Sequence, residues 1–232
     1  FPSTETRTIR YFSPTEETAE GQAFSFATEI ARLYDPASVE KLLKRRKELE
    51  AIHYTSTGNN YLQFEPETIL DTTIDLTPLL SSKIVLIGYS DTQKNDCPML
   101  DKFYTPLNLR YSGRSDPDMY GIVIHANIIQ MILDARYINK VPKWLSFVFA
   151  LLFCYFNVLL VDWIEDKYPR LYYPITRVIQ VVELILLFFI ISLLFYVFRL
   201  KLDFAYGTLG LALYFDVMLS YEAFSKRQHQ RL

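Results

Sequence analysis

The chain is 232 residues long with a formal net charge of −2; half of its residues are hydrophobic, 16% are aromatic and 22% are charged. There is no basic excess of the kind a nucleic-acid surface needs, so nucleic acid is excluded as an expected partner. The two cysteines, Cys97 and Cys154, fall in segments of different character and are not expected to pair, which excludes a small disulfide-stapled scaffold.

Such a blend of apolar and charged residues suits a polar domain fused to a membrane domain. The chain starts at Phe1 rather than at methionine, which reads as a processed, truncated or partial polypeptide with room for an upstream anchor. The first segment, about 140 residues, is mixed polar sequence, enough for one domain with its own core. Within it, residues 7–12 (RTIRYF) read as a short strand closed by Ser13-Pro14. Residues 19–34 place Ala23, Phe24, Phe26, Ala27, Ile30, Ala31 and Leu33 on one stripe, which predicts an amphipathic helix. Asp35 is a good N-cap and Pro36 suits the first helical position, so a second helix is predicted over 36–50. Its basic residues Lys41, Lys44, Arg45, Arg46 and Lys47 alternate with Glu40, Glu48 and Glu50, the pattern of a solvated face rather than a lipid-docking one.

Two β-prone runs, 52–54 and 61–64, flank Thr57-Gly58-Asn59-Asn60 and predict a hairpin. Helical turns are expected over 66–70 and 76–81. Residues 83–89 (KIVLIGY) are a continuous apolar run, the signature of a strand buried on both faces of a mixed or parallel sheet, with Gly88 allowing a sharp exit. A long polar stretch over 90–120 has no clear period and is expected to carry function. Residues 121–135 (GIVIHANIIQMILDA) then close the domain as a strongly apolar helix. The resulting expectation is an α/β or α+β domain built on a mixed sheet.

The remainder holds three apolar runs, 144–161, 178–198 and 202–219. About 20 helical residues cross the roughly 30 Å hydrocarbon core of a bilayer, so three transmembrane helices are predicted. The expected domains are 1–140, a three-helix membrane domain over 141–222, and a tail over 223–232. Lys167, Arg170 and Arg177 lie between the first two runs and Lys226, Arg227 and Arg231 in the tail, against Arg199 and Lys201 on the other side. The positive-inside tendency therefore puts the tail in the cytoplasm and the polar domain outside, although Arg136, Lys140 and Lys143 precede the first run. Trp144 and Trp163 bracket that run as an aromatic belt would.

The residues also carry a resemblance. KIVLIG, then Asp101 spaced D-x-x-x-T-P from Thr105-Pro106, then Gly121-Ile122-Val123-Ile124-His125-Ala126-Asn127, resembles the CHASE sensory domain of the second type. Where that family usually carries Pro-Gly before the histidine motif, Tyr120-Gly121 stands here. The resemblance implies an extracytoplasmic input domain in a bacterial inner membrane. It also implies one helix upstream and three downstream, coupled to a cytoplasmic kinase, cyclase or diguanylate cyclase. It implies no particular ligand and no cofactor.

Candidate ligand contacts are Asp101, Thr105, Arg110, Arg114, His125 and Asn127. His125 shares a helical face with Ile122, Ile129 and Ile132, which also suits a core histidine. Asp96, Asp101, Asp116 and Asp118 match no cation-loop spacing, so no metal site is expected. No nucleophile elbow, Walker loop or zinc motif occurs, and no enzyme activity is expected. Asn157, Glu183 and Asp216 form a predicted polar cluster inside the membrane, about 8 Å in from the cytoplasmic ends of their runs. The partners expected are the lipid bilayer, further copies or other membrane subunits, and a cytoplasmic effector. The alternative reading is a structural or assembly subunit of a membrane complex on the same fold.

Overall fold

The computed structural model describes residues 8–90, 101–108, 116–202, 204, 205 and 208. The chain divides into two compact units, Phe1–Ile138 and Asn139–Leu232.

In the first unit, β1 (Tyr11–Phe12) is preceded by Thr8, which bridges Tyr104. A two-residue turn at Ala19-Glu20 then joins β2 (Thr15–Thr18) to β3 (Gly21–Phe24) in an antiparallel hairpin. Gly21 sits at φ +120°, a conformation that L side chains rarely adopt. This corrects the helix expected from residue 19. The spacing of Ala23 and Phe24 fits a helical stripe, but the threonines of β2 and the positive φ at Gly21 commit the segment to a hairpin. Helix α1 starts only at Phe26 and runs Phe26–Tyr34, burying the small residues Ala27, Thr28 and Ala31. It packs against α2 (Pro36–Leu43) and against the last helix of the unit.

The Asp35-Pro36 signal is realised in full. The Asp35 carboxylate accepts a hydrogen bond from Ala37 N at 3.1 Å, and Pro36 occupies the first turn. The helix is shorter than expected. Arg45 N and Arg46 N donate to the carbonyls three residues back, and Arg46 enters the left-handed region at φ 53°. The chain then turns into β4 (Glu50–Ala51), which pairs antiparallel with β1. No hairpin forms over 52–64. Ile52 N donates to Arg10 O and so extends the β1 pairing, while Tyr61 N closes a turn onto Gly58 O. Short helices α3 (Pro66–Leu70) and α4 (Thr77–Leu80) follow where expected.

Residues 83–89 overturn the prediction of a doubly buried strand. Ile84 and Leu86 pack on the core, but Val85 is 51% and Ile87 91% exposed, and no strand pairs with the segment among the described residues. A run of consecutive apolar residues does not reveal how many faces are covered; here alternate side chains point outward. No mixed sheet is assembled from the described residues. The unit instead carries separate two-stranded ladders, the third being β5 (Lys102–Phe103) with β6 (Met119–Tyr120). The ends of the long polar stretch are therefore ordered into a ladder.

Helix α5 (Gly121–Leu133) is the centre of the core. Ile124, Ile128 and Ile132 are each at most 1% exposed, worth roughly 1.5–3 kcal/mol apiece by area removed from water. Ile9, Phe12, Val39, Leu42 and Ile52 complete the cluster. The helix ends as a Schellman motif: Arg136 N donates to Met131 O, and Ala135 stands at φ 50° where glycine is usual.

The second unit contains α6 (Lys143–Lys167) and α7 (Tyr172–Phe198), 25 and 27 residues long. At 1.5 Å per residue these are about 37 and 40 Å, enough to cross a hydrocarbon core. Val161, Ile164 and Tyr172 pack together where the two helices meet. At the other end β7 (Asn139–Lys140), before α6, pairs in parallel with β8 (Leu200–Lys201), after α7. Two apolar helices of spanning length are thus present, both starting earlier than their apolar runs. The third expected run, 202–219, lies almost wholly outside the described residues.

Candidate functional site

The GIVIHAN motif forms the first two turns of α5, and its residues face two different surroundings. Gly121, Ile122 and His125 line an open cavity of about 300 Å³ together with Phe26, Gly88, Asp101 and Phe103. Both glycines are closely hemmed in. A Cβ on Gly121 would lie 3.1 Å from both Asp101 carboxylate oxygens and 3.2 Å from Phe103, and one on Gly88 would lie 2.9 Å from Ile122 Cδ1. Gly121 N donates to Asp101 O at 3.0 Å, which seats Asp101 over the start of the helix. Asp101 itself is left-handed at φ 58°, a conformation aspartate tolerates better than most residues. The His125 ring packs edge-on against Phe26, centroids 4.9 Å apart. Burial holds the His125 imidazole below its ordinary pKa, while the Asp101 carboxylate pulls in the opposite direction.

Asn127 faces inward and is fully buried. Its Oδ1 accepts from Thr55 N at 2.9 Å and Ser56 N at 3.1 Å, and its Nδ2 donates to Ser56 O and to Val123 O, both at 2.9 Å. The side chain thus acts as a strand partner for segment 55–56. Thr105 is similarly engaged. Its N and Oγ1 donate to the two oxygens of Asp118 at 2.7 and 2.5 Å, and its Oγ1 accepts from Leu107 N. This pair of bonds, both donated by Thr105, ties the D-x-x-x-T-P segment to the strand that enters α5.

Of the predicted contacts, Asp101 and His125 therefore come together on one cavity. Thr105 and Asn127 are not among its lining residues, and their polar atoms are taken up by protein partners. Arg110 and Arg114 lie outside the described residues. In the second unit, Asn157 is buried and its Nδ2 donates to Phe153 O on its own helix. Glu183 is partly exposed, and no hydrogen bond joins it to Asn157 among the described residues. Asp216 lies outside them. Among the described residues no group of three or more His, Cys, Asp or Glu side chains is placed to hold a metal ion.

The family comparison bears on this same motif. A family model for the CHASE2 domain matches residues 6–161, well over half of the chain. The chain belongs to the CHASE2 family. CHASE2 domains are sensory extracellular domains of signalling proteins, and the CHASE2 match runs through the first unit and well into α6. No curated protein and no solved structure matches significantly.

Sequence reasoning missed Phe26 and Phe103 as lining residues of the CHASE2 cavity, and Asp118 and Ser56 as the partners of Thr105 and Asn127. Periodicity puts Phe26 on a helical stripe but does not mark any of the four for these roles, because each acquires its role from a contact distant in sequence.

Proposed function

We propose that the first unit is an extracytoplasmic input module that passes its state across the membrane to a cytoplasmic effector. The observation that carries this reading is the CHASE2 match, which runs from the polar unit into a helix long enough to span a bilayer. In this reading the membrane domain has three spans, the apolar run 202–219 supplying the third, in a bacterial inner membrane. Asn157, Glu183 and Asp216 then face helices rather than lipid, since buried carboxylates and amides in spans favour protein partners. In this reading the protein acts as an input module rather than as a catalyst.

A second reading, an assembly subunit, draws support from Val85 and Ile87, whose exposed side chains suit contact with another protein. The two are separated by fusing the chain ahead of a cytoplasmic diguanylate cyclase. Opening the cavity with Phe26→Ala, at a lining side chain that is 55% exposed, should change cyclase output while hydrogen exchange in α5 stays protected. Unchanged output with a folded head would favour the assembly reading.

A further inference from the structure

The cavity between α1 and α5 has an unusual charge balance. Asp101 contributes a carboxylate, and among the described residues that carboxylate forms no ion pair and no side-chain hydrogen bond. The adjacent Lys102, the nearest cation in sequence, holds its Nζ 4.7 Å over the Tyr120 ring instead. The rest of the lining is apolar or aromatic: Phe26, Phe103 and Ile122, with His125 at the rim of the Phe26 ring. A carboxylate with no ion pair among the described residues, beside two phenyl rings, is a combination suited to organic ammonium groups, by charge and by cation–aromatic attraction.

Two other ligand classes fit less well. A helix N-terminus ordinarily favours an anion, but here the Asp101 carboxylate already lies over the first turn of α5, within 3.1 Å of the Gly121 Cβ position. A further anion would meet it directly. A metal ion would need a third ligand, and no such cluster of His, Cys, Asp or Glu exists among the described residues.

We propose that this cavity binds a small organic cation, an amine carried on a compact apolar body. The ammonium group meets Asp101, and the body lies against Phe26, Phe103 and Ile122. At about 300 Å³ the space is at the small end of ligand cavities, which limits the body to about the size of one aromatic ring. The proposal deepens the input-module reading and rests on it.

The test uses the full chain in nanodiscs, titrated calorimetrically with benzylammonium, with benzoate as the matched anion, and with calcium, magnesium and zinc chlorides. Saturable benzylammonium binding at millimolar affinity or tighter is expected, with benzoate at least about tenfold weaker. Asp101→Asn keeps the shape and tolerates the left-handed φ, and it should weaken benzylammonium at least about tenfold. Phe26→Ala removes a side chain that is 55% exposed, so it leaves the core intact, and it should weaken binding several-fold. Absence of saturable binding, benzoate binding as tightly as benzylammonium, an unchanged affinity in both variants, or a divalent ion binding more tightly through Asp101 would each overturn the proposal. These outcomes leave the input-module reading standing, because that reading fails on the sidedness of the head and on effector output, not on ligand charge.

Discussion

Asn127→Leu is the sharpest perturbation of the head. Leucine has the same branched side-chain skeleton as asparagine, so it opens no cavity, but it removes every bond that the amide makes to segment 55–56. Thr55 is exposed and its N–H can turn to water, and Val123 O keeps its helical partner. Ser56 is only 4% exposed, so its N–H and its C=O are stranded without partners. At about 1–3 kcal/mol for each buried group left unsatisfied, the cost is about 2–6 kcal/mol, against a typical domain stability of about 5–15. The assay is thermal unfolding in detergent followed by near-UV dichroism of the head tyrosines, with hydrogen exchange read over residues 52–60. Exchange there should quicken before α5 opens. Asn127→Asp adds a pH test. A carboxylate here keeps two N–H donors on one oxygen, but full burial and the two carbonyls facing its other oxygen outweigh them, so its folded pKa is raised above the unfolded value of about 3.9. A raised folded pKa means that the variant's stability is recovered below about pH 4 and lost as pH rises through the folded pKa. A loss below about 1 kcal/mol in Asn127→Leu, or a pH-independent gap between Asn127→Asp and wild type, would refute the role given to Asn127.

Three further outcomes are expected. Glu50 is 1% exposed and held by Arg45 at 2.5 Å and Lys47 at 3.5 Å, so Arg45→Ala should cost about 3–5 kcal/mol in chemical denaturation, with Glu50→Gln in the same chain recovering part of it. Gly88→Ala should destabilise the head by about 1–3 kcal/mol through its close approach to Ile122, read as a lower melting temperature, and Ile122→Ala should relieve that penalty in a double-mutant cycle. Ala135→Gly should stabilise the head by about 0.5–1 kcal/mol, since glycine suits the φ of 50° at the end of α5.

What was legible in the sequence was local chemistry. Asp35-Pro36 specified a helix start through one cap and one fixed φ, and α5, α6 and α7 announced themselves through sustained apolar content. Asp101 and His125 were singled out by motif and do share a cavity. What was not legible depended on distant contacts. Residues 83–89 are apolar enough for a buried strand, yet which side chains turn inward is set by α5 and not by the run itself. The 57–60 turn signal was real, but its flanking residues pair with Arg10 and with Asn127 rather than with each other. Phe26 fits a helical stripe equally well as a core residue or as a cavity wall, and only the position of His125 decides between them.

The central claim is that the head lies outside the cytoplasm and is carried on membrane helices. It is tested most directly by replacing Cys97 and Cys154 with serine and placing single cysteines at Leu70, 79% exposed in the head, and at Leu171, 57% exposed between α6 and α7. Right-side-out spheroplasts are then treated with a membrane-impermeant thiol reagent. Labelling of Leu70→Cys in intact spheroplasts, with Leu171→Cys labelled only after lysis, is the predicted result; the reverse pattern would contradict it.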